Sequence, residues 1–245
     1  MTAPRTRRPT SAPRYDWRKD ARELAIVIVG VLIALLAQEV VQGWEWERKV
    51  AVARDAMRYE LLADDGPQLY QRAAMHPCVL DSLDRVRSAV EGGRSRSEIA
   101  RAIDGYWVEF RTFDRLALDA ANSSDVAAHM PQDELRAMSR VYQVMPLMER
   151  TNTQEAADLA RLHAFRRTGG AVSDAEKDRV LEAVEALRND EAIIWLRVQA
   201  KLPVLMRIGP LDRQRVEHFM DNAHSHYGDC IKPLPADFPK GDSPD

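Results

Sequence analysis

An unbroken apolar run near the N-terminus is the strongest pattern along the chain. Residues 24–37 read LAIVIVGVLIALLA, and two valines extend the run past Gln38 and Glu39. A helix of about 20 predominantly apolar residues is long enough to cross a hydrocarbon core of roughly 30 Å. The pattern therefore predicts one transmembrane helix over residues 24–43.

Aromatic residues flank this run on both sides, at Tyr15, Trp17, Trp44 and Trp46. Because Trp and Tyr are enriched at the two membrane–water interfaces, we predict that these four side chains are membrane-interface anchors. Two alternatives stay open. A buried core helix would have to be covered on all sides, since the run is apolar all round. A cleaved signal peptide would need small residues one and three places before the cut, whereas Ala37 is preceded by Leu35 at that spacing.

Beyond residue 44 the apolar residues recur every three or four positions, which is the period of amphipathic helices. The first stripe continues directly from the apolar run, and we predict that its helix stops at residues 64–67, Asp-Asp-Gly-Pro. Gly tolerates the left-handed conformation that ends helices, and Pro fits the first turn of the next one. Pro146 is predicted to kink a later helix, because proline removes one backbone donor.

Two capping boxes predict where further helices begin. They are Ser95-x-x-Glu98 and Ser173-x-x-Glu176, in which the two side chains satisfy backbone N–H groups reciprocally. No stretch alternates with period two between hairpin signals, so the predicted fold class is all-α. A single N-terminal transmembrane helix continues into an antiparallel bundle of about five to seven helices.

The charge distribution predicts the topology. Residues 1–23 carry seven basic groups against three acidic ones, whereas the residues from Trp44 onward carry a net negative charge. The basic tail is expected to stay cytoplasmic, which would place the rest of the chain in the periplasm of a bacterium. The acidic bulk argues against nucleic acid as a partner. The expected organisation is a basic cytoplasmic tail over 1–23, a transmembrane helix over 24–43, a helical periplasmic domain over 44–231 and a Pro-rich tail over 232–245.

The first 65 residues resemble a bacterial family of uncharacterised, membrane-anchored helical proteins. The resemblance lies in Arg22-Glu23-Leu24, the apolar run, Gly43-Trp44 and the paired Leu61-Leu62. The family is a domain of unknown function, so the resemblance implies an architecture and an inner-membrane location. It implies no activity, and it assigns no catalytic residue.

The chain contains two cysteines, Cys78 and Cys230. Disulfides persist in oxidising compartments such as the periplasm, so export would allow these two residues to form one. Two buried free thiols are the alternative, since the sequence does not give the separation of their Cα atoms.

Three histidines precede Cys230, at His218, His224 and His226, with Asp221 and Asp229 among them. These side chain types can ligate zinc, but the spacing matches no established zinc pattern. A solvated polar helix end is the expected explanation, and neither a metal nor any other cofactor is predicted.

Two features of the apolar run suggest pairing within the membrane. Glu39 is an ionisable group inside the predicted span, yet it lies only about 7.5 Å along a helix from Trp44, close enough to reach the interface. Gly30 and Ala34 form a small-xxx-small pair that allows two helices to approach closely. Pairing with another membrane protein, or with a second copy, is the alternative to a purely anchoring role.

The sequence contains no nucleophile elbow, P-loop, dinucleotide fingerprint or C-x-x-C pair. We therefore expect a protein that is not an enzyme and has no catalytic residues. The leading hypothesis is an interaction or scaffold protein held in the lipid bilayer, with a membrane or periplasmic protein as its partner. The second hypothesis is a periplasmic ligand-binding or sensory bundle that acts through a membrane partner.

Overall fold

The computed structural model describes residues 17–167, 170–235 and 238. Within these residues the secondary structure is helical and no strand occurs, which confirms the all-α fold class. The chain divides into two compact units, Met1–Arg48 and Lys49–Asp245.

The first unit is formed by the N-terminal part of helix α1, which runs over Trp17–Tyr59. Its apolar side chains are exposed, and none of the most apolar 18-residue window is buried within the structure. A core helix of a soluble protein would be mostly buried. The chain therefore has one N-terminal helix that is long and apolar enough to cross a membrane.

The part of the chain that the structure describes contains nine α-helices, and the eight that follow α1 exceed the five to seven expected beyond the transmembrane helix. After α1, the second unit contains α2 (Gly66–Glu91), α3 (Arg96–Asp104), α4 (Leu116–Ser123), α5 (Val126–His129), α6 (Gln132–Tyr142), α7 (Met145–Ala164), α8 (Asp174–Ile208) and α9 (Arg213–Tyr227). The short helices α4 and α5 account for the difference, because their local sequence has too few turns to show a periodic stripe.

The predicted helix stop at residues 64–67 is wrong. Glu60–Asp65 form a π-helical segment that joins α1 to α2 without a break. Gly66 has φ −61° and ψ −47°, an ordinary right-handed helical conformation, so its freedom to adopt positive φ is not used. Pro67 occupies the first turn of α2, where a missing backbone donor costs little.

Pro146 likewise begins a helix instead of kinking one, since it lies in the first turn of α7. Both predicted capping boxes are confirmed. Ser95 and Glu98 open α3, and Ser173 and Glu176 open α8, each with both reciprocal hydrogen bonds. These boxes fix the start of α3 and of the long helix α8.

The core of the second unit lies where α2, α7 and α8 meet. Helix α2 packs most extensively against α8, which also packs along α7, and α9 packs against α2. Leucine, valine and methionine side chains fill most of this core, among them Leu83, Met148 and Val184. Several charged side chains are buried with them, and they form the candidate site.

Candidate functional site

Polar residues enter the core because they occupy positions of the apolar stripes. On α8, Leu187 and Ile194 are fully buried, and Asp190 and Glu191 lie between them at the same three- and four-residue spacing. Residues at that spacing share one face of a helix, so both carboxylates must enter the core. Glu155 reaches the core from α7 in the same way.

Arg72 of α2 is the centre of the buried network. Its Nη2 donates to a carboxylate oxygen of Glu155 and to one of Glu191. The three side chains are at most 4% exposed. Burial alone would lower the pKa of Arg72, but the two carboxylates outweigh burial and raise that pKa above its usual range. The arginine is therefore a permanent cation that joins α2, α7 and α8.

Tyr106 adds a neutral donor to this network. Its hydroxyl group donates to Glu155 Oε1 at 3.2 Å. Burial first, and the charge of Glu155 second, raise the pKa of Tyr106 well above its ordinary value. The phenol therefore stays protonated and remains a hydrogen-bond donor.

A second buried arginine, Arg111, lies beside the network. It donates to the carbonyl of Gln68 at 2.6 Å and to the side chain of Gln71, which in turn donates to the carbonyl of Phe219 at 2.6 Å. Burial, and then the positive charge of Arg72, lower the pKa of Arg111. These bonds connect the loop between α3 and α4 to α2 and α9.

Two aspartates form the acidic end of the network. Asp158 on α7 and Asp190 on α8 are both at most 5% exposed. Asp190 Oδ2 has no hydrogen-bond partner among the described residues. Burial, then the adjacent Asp158, raise the pKa of Asp190 to about 7. This pair of carboxyl groups can therefore hold one proton near neutral pH.

His76 connects the network to the protein surface. Its Nδ1 lies 2.7 Å from Glu191 Oε1. Its ring stacks on Trp195 with the two rings nearly parallel and their centroids 4.3 Å apart. The carboxylate and the indole together fix the imidazole in one orientation.

An open groove of about 520 Å³ begins at this stacked pair. We name it the His76 groove, and its lining residues are His76, Leu80, Arg188, Ala192, Trp195, Leu196 and Gln199. Leu196 is 69% exposed. This surface combines a fixed aromatic pair with the guanidinium of Arg188, which is held by Asp84, and aromatic residues and arginine are enriched at protein interfaces.

The structure joins Cys78 and Cys230 in a disulfide, with their Cα atoms 5.9 Å apart. Cys78 is buried on α2, and Cys230 ends the short 3₁₀ turn after α9. The bond therefore ties the C-terminal end of α9 to the helix that carries Arg72 and His76. Nearby, Phe238 packs edge-on against Tyr70 with ring centroids 5.1 Å apart.

The histidines near Cys230 are separated in the structure. His226 packs edge-on against Trp107 with ring centroids 3.8 Å apart. His224, Asp221 and Asp229 line a different surface groove of about 560 Å³. His218 is exposed and lies against the adjacent Phe219. No group of three or more metal-ligating side chains is found in the described part of the chain.

The predicted residues of the apolar run lie on the exposed surface of α1. Trp44 is 68% exposed, Glu39 is exposed, and Trp46 is partly buried. A Cβ at Gly30 would meet no atom within 4 Å, and Ala34 is likewise exposed, so helix pairing there stays a prediction. Tyr15, most of the basic tail and the side chain of Trp17 lie outside the described residues.

No family model, curated protein or solved structure matches this chain.

Proposed function

We propose that this chain is a single-span protein of the bacterial inner membrane whose helical domain binds a protein partner in the periplasm. The observation that carries the proposal is the exposed apolar surface of α1. Its most apolar window has a mean hydropathy of 2.7 and no buried residue. Lipid is the environment in which such a surface is stable.

The proposed orientation rests on charge and on the cysteines. Seven Lys and Arg residues lie in the 23 residues before the apolar run, and short basic segments stay cytoplasmic. The Cys78–Cys230 disulfide supports an oxidising location for the other side. Together they favour a cytoplasmic N-terminus and a periplasmic helical domain.

The proposed role of the helical domain is to present a fixed binding surface. The Arg72 network and the disulfide both hold α2 in place against its neighbours, and we propose that the helices form an antiparallel bundle. The His76 groove lies on this braced part of the domain. Preorganised aromatic and guanidinium groups bind proteins with little loss of side-chain entropy.

A topology experiment tests the membrane part of the proposal. Alkaline phosphatase, which is active only where disulfides form, would be fused after residue 235 and, as a matched control, after residue 20. Activity is expected only from the fusion after residue 235. The full-length chain is also expected to resist extraction by alkaline carbonate and to dissolve in detergent. Release by carbonate, or activity only from the control fusion, would contradict the proposed anchor or orientation.

A crosslinking experiment tests the binding role. A photo-reactive amino acid would replace Leu196 in the groove or, as a control, the exposed Arg179 on the same helix. We expect one reproducible crosslinked species from position 196 that is absent from position 179. A product of twice the chain mass would identify a second copy as the partner. Equal products at both positions, or none from position 196 in native membranes, would count against the groove.

A sensory domain acting through a membrane partner is the second candidate function. The observation that favours it is the burial of acidic groups whose protonation can change near neutral pH, Asp65 and Asp190. Partner crosslinking at position 196 that changes with periplasmic pH would support this candidate. Crosslinking independent of pH would favour a scaffold.

A further inference from the structure

The π segment Glu60–Asp65 makes a backbone contact with the connection between α8 and α9. The carbonyl of Leu61 accepts from Gly66 N, in the wide pattern of a π-helix. The carbonyl of Leu62 accepts from the backbone N–H of Asp212 at 2.9 Å. The wide turn thus leaves a carbonyl available to a second part of the chain.

Asp65, at the end of this segment, is buried without a full set of partners. It is 2% exposed, and its Oδ2 has no hydrogen-bond partner in the described part of the chain. A buried carboxylate without partners is costly, whereas a neutral carboxyl group is tolerated. The geometry therefore favours the protonated form of Asp65.

The charged and titratable groups around Asp65 are mostly acidic. Glu60 and Asp64 lie on the same segment, Asp114 in the loop before α4, and Tyr142 on α6, while Asp212 and Arg215 at the start of α9 interact with Asp64. Two cations lie at the edge of the segment: Arg215 is 3.9 Å from Asp64, and Arg58 of α1 donates to the carbonyl of Ile208 at 3.1 Å. The Glu60 carboxylate accepts a hydrogen bond from the backbone N–H of Ala117 at 2.9 Å, and its charge disfavours a second charge on Asp65.

We propose that the π segment is a proton-controlled contact between α1–α2 and the α8–α9 connection. With Asp65 protonated, the segment stays closed, and the carbonyl of Leu62 accepts a hydrogen bond from the backbone N–H of Asp212. When Asp65 loses its proton to solvent, the carboxylate needs water, and the segment opens to admit it. This device is independent of the membrane topology proposed above.

The packing around Gly66 makes opening the expected response to a charge. A Cβ at Gly66 would lie 2.5 Å from Leu211 Cδ2 and 2.8 Å from Leu205 Cδ2, so the segment fits tightly against both leucines. Close-packed interiors offer no room for a hydration shell. Burial, followed by the charges of Glu60, Asp114 and Asp64, raises the pKa of Asp65 to about 8 in the closed state.

Hydrogen exchange of the Asp212 amide tests the proposal in the full-length protein in detergent micelles. After correction for the intrinsic pH dependence, the exchange rate is expected to rise by up to about tenfold per pH unit between roughly pH 5 and pH 8 and to level off above. Asp65→Asn cannot ionise, so its corrected rate should be independent of pH. Asp55→Asn, which removes an exposed carboxylate from α1, should retain the wild-type profile.

A corrected wild-type rate that does not change with pH would overturn the proposal. The proposal would also be overturned if the corrected exchange rate rose with pH as steeply in Asp65→Asn as in the wild type. If Asp65→Asn does not fold, Glu60→Gln is the deciding variant. Glutamine can still accept the hydrogen bond from the backbone N–H of Ala117, but the charge beside Asp65 is lost. The corrected exchange rate should then level off roughly one pH unit lower than in the wild type, and levelling off at an unchanged pH would contradict the proposal.

Discussion

Arg96 Nη2 lies 2.9 Å from each carboxylate oxygen of Glu176, so the first residue of α3 binds the capping box of α8. The same glutamate accepts from the backbone N–H of Ser173 at 2.9 Å. Arg96 also donates to the carbonyls of Gly170 and Ala171 in the loop before α8. One guanidinium therefore fixes the start of the longest helix of the second unit.

Replacing Glu176 should destabilise the protein more than replacing Glu98, its counterpart in the other capping box. Glu176→Ala removes both the cap and the partner of Arg96, and we expect a loss of about 1–2 kcal/mol in the free energy of unfolding. Glu98→Ala removes a cap on an exposed surface. Chemical unfolding of both variants checks the order, and equal losses would show that the Arg96 contact contributes nothing.

Removal of Arg72 should be among the most damaging single changes in the core. Arg72→Met leaves Glu155 and Glu191 buried without their cation, and breaking a buried ion pair costs on the order of 3–5 kcal/mol. The surface variant Arg85→Ala, whose partner Asp81 is mostly exposed, is the control and should cost well under about 1 kcal/mol. Urea unfolding followed by tryptophan fluorescence measures both.

A compensated variant separates charge from packing in this prediction. Glu155→Gln and Glu191→Gln, added to Arg72→Met, remove the uncompensated charges while nearly keeping the side-chain volumes. Most of the lost stability should then return. A triple variant no more stable than Arg72→Met would show that shape, and not charge, determines the loss.

Local sequence signals predicted the starts of two helices correctly, because both capping boxes begin helices. The failures at Gly66 and Pro146 have one cause. Gly66 is compatible with a continuing helix as well as with a break, and Pro146 with a helix start as well as with a kink, so the residue type alone does not decide which occurs.

The buried ionic network was not predicted, although part of its signal was present. Asp190 and Glu191 continue the apolar stripe of α8 between Leu187 and Ile194, which indicates polar groups facing the core. Arg72, the partner of Glu191, is more than a hundred residues away in the chain, so no local pattern identifies it. His76 and Trp195 are also far apart in the chain, so no local pattern predicts that their rings stack.

Gly66→Ala should destabilise the protein for steric reasons alone. The backbone angles of Gly66 suit any residue, but the new methyl group would overlap with Leu205 and Leu211. Overpacking of this kind typically costs about 1–3 kcal/mol. Gly43→Ala is the matched control, because a Cβ there meets no atom within 4 Å. Gly66→Ala should lower the midpoint temperature of thermal unfolding, and Gly43→Ala should leave it unchanged.

Loss of the disulfide should also lower stability. The double variant Cys78→Ala and Cys230→Ala is expected to lose about 2–4 kcal/mol, because the bond closes a loop of 152 residues in the unfolded chain. Reductant should lower the unfolding midpoint of the wild type and leave that of the double variant unchanged. Thiol labelling of the unfolded wild type without reductant would contradict the bond.

Because of Asp190, the free energy of unfolding should fall as the pH rises from about 4 to 7. Its pKa is about 7 in the folded state, because of burial and Asp158, against an ordinary value of 3.8. Within that window the folded state binds the extra proton, so raising the pH removes stability, and the loss is complete above about pH 7. Asp190→Asn should therefore lose less stability than the wild type between pH 5 and pH 8, as measured by urea unfolding of the full-length protein. Asp178→Asn, an exposed position on the same helix, should follow the wild type, and parallel curves for all three proteins would show that Asp190 does not retain its proton.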